Sequence, residues 1–230
     1  MKVDYHPNTT PGEVWDKLAA ENAVSAICYH HSPELFEVKG KVEASYFREL
    51  VASYMTVGEA TVLDIGGGIG RIARYLAPEV KEYVLLDVSG EMLRQAEERL
   101  RGEAAFDKLR FVKGNGTDLG EIPEGTIDFA LSYLTFQHCD REVTVHYLRE
   151  LARVLKPEGR AWIQVPPMAY PERFEDADRR DWPVNLRRWY PGEFLEVCLR
   201  CGLSVLAADC VGIEVLVRRT RRVAWRKDAK

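Results

Sequence analysis

The stretch Val62–Leu76, VLDIGGGIGRIARYL, decides how the rest of the chain is read. It opens on an apolar run, passes through glycines and closes on a helical pattern. Asp64, Gly66, Gly68 and Gly70 form D-x-G-x-G-x-G within it, with Gly67 between them. Glycines there let the backbone approach a ligand closely and take positive φ. The helix that follows turns its free N–H groups toward the same place. The next apolar run ends on Asp87, 23 residues after Asp64, where a carboxylate can accept both hydroxyls of a ribose. A nicotinamide-dinucleotide fold is the nearest rival, but its G-x-G-x-x-G spacing needs a glycine where Arg71 stands. The acid after the second strand fits both readings. Asp64 separates them, because a carboxylate repels a pyrophosphate and attracts a cationic amino-acid moiety.

Outward from this loop, short apolar runs alternate with longer helical patterns. Strands are predicted at Thr61–Ile65, Glu82–Asp87, Leu109–Lys113, Ile127–Tyr133 and Arg160–Val165. Helices are predicted between them at Gly70–Ala77, Gly90–Arg101 with Ser89 as its cap, and Arg141–Leu155, ended by Pro157 and Gly159. A helix at Pro191–Cys201, ended by Gly202, then leads to strands Leu203–Asp209 and Ile213–Arg218, joined by a very short turn at Cys210–Gly212 that favours an antiparallel hairpin. The fold class is α/β: a doubly wound, mainly parallel seven-stranded sheet with a terminal antiparallel hairpin. Residues 1–58 carry no convincing strand. Helices at Glu13–Ala26 and Val42–Met55 there form an N-terminal helical cap. The main domain spans 59–220, with an insertion at 166–190 rich in Pro, Asp, Arg and aromatics, and a basic tail at 221–230.

The bulk numbers fit this plan. In 230 residues, 46% are hydrophobic and 30% charged, as in an ordinary globular domain. The formal net charge of −4 offers no overall basic field for nucleic acid. No apolar run is long enough to span a bilayer, and the N-terminus has no signal-peptide core. The expected residence is the cytoplasm, where five cysteines stay reduced. Cys198 and Cys201 share the apolar face of a predicted helix with Phe194 and Val197 and read as buried thiols. No second ligand pair has zinc spacing, so no metal is expected.

Several motifs, taken in order, resemble the class I S-adenosylmethionine-dependent methyltransferases. VLDIGGGIG is similar to the family's glycine-rich first motif, and VLLDVSGEML to its second, with Asp87 at the ribose position. FVKGNGTDL resembles the third, TIDFALSYLTFQH the fourth, and LRELARVLKPEGRAWIQVP the helix and strand that follow. The resemblance runs from about Thr61 to Arg218, and the closing hairpin belongs to it. It implies S-adenosyl-L-methionine as cofactor and S-adenosyl-L-homocysteine as product. It also implies cofactor contacts from Asp64, Gly66, Gly67, Gly68, Gly70, Asp87, Val88, Met92, Asn115, Gly116, Thr117, Tyr133 and His138. Asn115 replaces the Asp of many relatives; its side-chain oxygen can still accept a bond from an adenine amino group.

Methyl transfer from a sulfonium needs alignment more than a covalent intermediate. His138, just past the fourth predicted strand, is the candidate general base, with packing over the cofactor as the alternative. Tyr133 is either a contact to cofactor or acceptor or simple packing. Tyr29, His30 and His31 in the cap, and Tyr170, Trp182, Arg187 and Trp189 in the insertion, are candidates to line the acceptor pocket. An aromatic lid with a few cations suits a small organic acceptor. Ser132-Tyr133-Leu134-Thr135 lacks the [DNS]-P-P-[YFW] pattern of enzymes that methylate base amines, and no dedicated nucleic-acid domain is present. A protein, peptide or tRNA acceptor, or cofactor binding without turnover, stays open. The chain is expected to act as a monomer or homodimer.

Overall fold

A computed structural model of the chain describes residues 9–28, 32–167, 178–179, 186–209 and 213–220. Tyr29, His30, His31, Tyr170, Trp182, the Cys210–Gly212 turn and the tail 221–230 lie outside the described residues. The elements run α1 (Pro11–Ile27), α2 (Pro33–Ala52), β1 (Thr61–Ile65), α3 (Ala73–Leu76), β2 (Glu82–Asp87), α4 (Gly90–Leu100), β3 (Leu109–Lys113) and β4 (Ile127–Ser132). They continue α5 (Arg141–Val154), β5 (Leu155–Gln164), β6 (Asp178–Arg179), β7 (Leu186–Arg187), α6 (Pro191–Arg200), β8 (Leu203–Asp209) and β9 (Glu214–Arg219).

Seven strands form one sheet in the order β3-β2-β1-β4-β5-β9-β8. β1 pairs in parallel with β2 (Asp64 opposite Leu85) and with β4 (Asp64 opposite Leu131). β9 runs antiparallel to both β5 and β8, the expected closing hairpin. β6 and β7 pair with each other in a separate two-stranded sheet.

Period-2 alternation sorts the strand residues between two helical layers. Leu63, Ile65, Val84, Ala130 and Ile163 face a core shared with α5 and α6, through Leu148, Leu151, Phe194 and Cys198. Val62, Tyr83, Leu85, Phe129 and Trp162 face the other side, under Phe47 and Val51 of α2 and Ala96 and Leu100 of α4. Cys198 and Cys201 are buried free thiols, as expected. Among the described residues, no helix is long and apolar enough to cross a membrane.

Four predicted boundaries need correction. α2 begins at Pro33, with the Ser32 hydroxyl accepting from the Leu35 N–H, nine residues before the predicted start. Its inward face is Phe36, Gly40, Ala44, Phe47 and Val51, while Leu35, Val38 and Val42 are exposed. Apolar residues on the outer face and a glycine on the inner one blur the 3.6-residue pattern. The helix predicted over Gly70–Ala77 shrinks to α3, because Gly70 has φ +75° and the preceding residues form turns. β5 starts at Leu155 instead of Arg160, running through Pro157 and Gly159 with a register shift against β4 between Ile127 and Phe129. A Cβ on Gly159 would lie 2.9 Å from the Ile127 carbonyl oxygen, so only glycine allows that approach. β4 stops at Ser132, since Leu134 turns to φ +59°.

α1 lies across α4. Asp16 Oδ1 accepts from Ser89 Oγ (2.6 Å) and from the Glu91 N–H (2.9 Å), and Gln95 donates to the Ala19 carbonyl (3.0 Å). The helix is interrupted at Asn22, whose φ of −169° and ψ of 98° are not helical and whose Oδ1 caps the following turn at Ser25.

Candidate functional site

A cleft of about 660 Å³ lies over the carboxyl ends of β1, β2 and β4 and beneath α1. Its position follows the general rule for open α/β sheets, in which ligands sit where the strand order reverses. Here β1 lies beside both β2 and β4, so the crossovers diverge above it.

The glycine loop forms the floor. Gly66, Gly68 and Gly70 take φ of +76°, +55° and +75°. The Gly66 and Gly67 N–H groups both donate to the Leu86 carbonyl, at 2.7 and 3.2 Å. A Cβ on Gly66 would sit 2.3 Å from Thr135 Oγ1, and one on Gly68 2.8 Å from Ile27 Cδ1 of the cap. Gly66, Gly67 and Gly68 line the cleft, whereas Gly70 does not. A Cβ there would strike Leu100 and Leu85, so Gly70 serves loop packing against α4.

Two buried carboxylates flank the loop. Asp64 accepts from Tyr83 Oη at 2.7 Å, and burial raises its pKa to about 7 against that bond. Asp87 accepts from the Ser89 N–H (2.8 Å) and, through Oδ2, from the Gly68 N–H (2.9 Å). Burial raises Asp87 to about 6, with those backbone bonds acting in the opposite direction. Desolvation penalises the charged form of each acid, so both gain from a cation or donor arriving in the cleft.

Val88, Met92 and Gly116 line the wall beyond Asp87. Asn115 and Thr117 do not. Asn115 Oδ1 accepts from the Thr117 and Asp118 N–H groups at 2.8 and 3.0 Å, and its Nδ2 donates to Asp118 Oδ1 at 2.9 Å. Its side chain is therefore engaged in its own turn, and Gly116, at φ +82°, carries the backbone to the cleft.

On the β4 side stand Tyr133, Leu134, Thr135 and His138. Burial pushes the Tyr133 hydroxyl up to about 12, so near neutral pH it is a proton-bearing donor. The His138 ring meets the edge of Trp15 from α1 at 5.2 Å, and its Nε2 is 2.9 Å from Gln137 Nε2. The cap thus packs against the candidate base directly. Leu134 holds its left-handed backbone with its N–H donating to Gln164 Oε1 (3.0 Å); strain of this kind gathers at functional sites.

Of the insertion residues, Arg187 lines the cleft, buried and ion-paired with Asp140, which lines it too. Trp189 does not reach the cleft. It is buried against Phe194 at 5.3 Å, with the Arg141 guanidinium 4.4 Å from its ring centroid, so packing consumes the aromatic surface expected to face an acceptor.

Arg71 emerges here as a site residue, having entered the sequence reading only as the residue that breaks dinucleotide spacing. It is buried, lines the cleft and pairs through Nη1 with Glu43 of α2. Its guanidinium lies 5.6 Å from both the Phe36 and Tyr133 ring centroids. Arg99 takes the Phe36 ring as well, at 5.3 Å, and donates to the Ile69 carbonyl at 3.2 Å. Gly40 permits this docking, since a Cβ there would come within 2.6 Å of the Arg71 carbonyl oxygen.

Comparison with known proteins agrees with this geometry. Residues 62–159 match the family model described as "Methyltransferase domain". The chain is 27% identical over 192 residues to "Probable S-adenosylmethionine-dependent methyltransferase CRG1" of Saccharomyces cerevisiae, covering 76% of this chain and 64% of that protein. The chain spans less than two thirds of the length of the curated relatives it matches. Among solved structures, an S-adenosylmethionine-dependent methyltransferase from Clostridium acetobutylicum superposes with TM-score 0.66 at 17% identity, covering 89% of this chain and 99% of that one. The YcgJ protein of Bacillus subtilis gives 0.60 at 23%, covering 71% and 69%. These two likenesses show a common fold.

Proposed function

We propose that this chain, which belongs to the class I S-adenosylmethionine-dependent methyltransferase family, transfers a methyl group to an oxygen or nitrogen atom of a small organic acceptor in the cytoplasm. The bound cofactor supplies a methyl group carried on a sulfonium, open to in-line displacement. The residues present fit that group. Gly66, Gly67 and Gly68 turn backbone without side chains to the cleft, and the Asp87 carboxylate, held by the Gly68 and Ser89 N–H groups, stands at the loop where ribose hydroxyls would meet it. Asp64 offers negative charge to a cationic amino-acid moiety. Val88, Met92 and Gly116 offer a wall against which an adenine can pack.

The observation that carries this reading is the Asp87–Gly68 bond, which ties a left-handed glycine loop to a buried acid at the wall of a roofed cleft. A carboxylate so tied is pre-set for a vicinal diol and adds no reorganisation when one binds. The α1 roof, through Val14, Trp15 and Ile27, covers part of the cleft and favours an acceptor small enough to sit beneath it. His138, which lines the cleft beside Trp15, is our candidate to take a proton from the acceptor.

Calorimetric titration with S-adenosylhomocysteine should show binding that Asp87→Ala weakens sharply; unchanged affinity removes the ribose assignment. With labelled S-adenosylmethionine and cell extract, label should enter the low-molecular-mass fraction. Label confined to protein or RNA would assign a macromolecular acceptor in its place.

A further inference from the structure

We infer that Arg71 receives the carboxylate at the amino-acid end of the cofactor; this rests on the cofactor reading above. Arg71 directly follows Gly70, is 5% exposed and lines the cleft. Glu43 engages Nη1, while Nε is buried without a hydrogen-bond partner. A guanidinium carries five N–H donors in a planar fork. Leaving one of them buried and unmade is costly, and a carboxylate is the acceptor whose shape matches the fork.

Position selects which carboxylate. Asp87 ends β2, the glycine loop follows β1, and Tyr133, which stacks on Arg71, follows β4. With sheet order β2-β1-β4, Arg71 and Asp87 lie on opposite sides of the loop. A ligand with its ribose at Asp87 and its chain across the loop brings its far end to Arg71. Asp64 and Arg71, both buried and both at the cleft, present one negative and one positive group there. That pair complements the ammonium and carboxylate of an α-amino acid. The Phe36 and Tyr133 rings hold the guanidinium in place, so little side-chain freedom is lost on binding. An acceptor carboxylate would use the same chemistry, and the test separates the two sources.

The full-length chain is titrated calorimetrically with S-adenosylhomocysteine and with 5′-methylthioadenosine, which keeps adenine, ribose and thioether but lacks the amino-acid arm. Arg71→Met should weaken S-adenosylhomocysteine by about tenfold or more and leave 5′-methylthioadenosine within about twofold. The double variant Arg71→Met/Glu43→Met, which leaves no unpaired buried carboxylate, should behave alike if the single variant folds poorly. Equal loss for both ligands means that Arg71 shapes the loop and overturns the inference. Unchanged affinity for both, with turnover reduced, moves the carboxylate to the acceptor and overturns it too. Wild-type protein that binds neither ligand removes the cofactor reading itself.

Discussion

Asp64 and Asp87 hold their protons more tightly than free carboxylates, at about 7 and about 6, because burial disfavours their charged forms. Each binds more protons folded than unfolded between the ordinary carboxylate pKa and these values. The stability they contribute therefore falls as pH rises from roughly 4 through 6 and 7. A ligand that needs both acids ionised has the opposite dependence. S-adenosylhomocysteine affinity should rise across that window and binding should release protons. Calorimetry near pH 6 in two buffers of different ionisation enthalpy reads the release, and its absence would mean that neither acid ionises for the ligand. Gly66→Ala places a Cβ against Thr135 at φ +76°, and should cost more than about 1 kcal/mol of stability together with binding. Denaturant unfolding measures the first quantity. His138→Ala should lower turnover by about 10²–10⁴ with little change in affinity; parallel losses would make it a packing residue. At this scale the left-handed Gly66, Gly68 and Gly70 and the buried Asp87 at the end of β2 were legible because loop and strand end are written in local backbone geometry. Arg71 was not, because its meaning depends on Glu43, 28 residues earlier and on a separate helix.

The cap is the element whose packing decides most about the site. β1, β2 and β4 could be read from their apolar runs, since a strand buried on both faces needs only continuous hydrophobicity, whereas the half-exposed start of β5 could not. α2 could not be delimited, because its outward Leu35, Val38 and Val42 compete with its inward face in the sequence pattern. Trp189 misled in the same way: aromatic character in a long insertion resembles a pocket lining until burial against Phe194 is known. α1 is held to α4 by few polar contacts, of which Asp16 accepts two. Asp16→Ala should weaken the contact of α1 with α4 by about 1 kcal/mol, because the Ser89 hydroxyl and the Glu91 N–H at the start of α4 lose their acceptor. Hydrogen exchange should then show faster opening of α1 amides with β1 and β4 unchanged. Uniform acceleration across the sheet would mean that the cap and the sheet open as one unit.

Across the whole molecule, the cleft draws its floor from β1 and β2, its far wall from β4 and the following turn, and its roof from α1. A ligand that touches all three ties the cap to the sheet. S-adenosylhomocysteine at about 100 times its Kd should stabilise the fold by about 2.7 kcal/mol, seen as a rise in melting temperature. Asp87→Ala at the same ligand concentration should lose that rise. The strand order also bears on how the molecule is made. β9, Glu214–Arg219, leaves the ribosome after the other six strands of the sheet, yet it occupies the interior place between β5 and β8. Until it emerges, β5 presents an open edge from Arg160 to Gln164 and β8 has no sheet to join. A nascent chain of this protein therefore carries a nearly finished ligand cleft beside an unsealed seam. The seam is the natural foothold for chaperones during synthesis, and for aggregation when translation stalls short of β9.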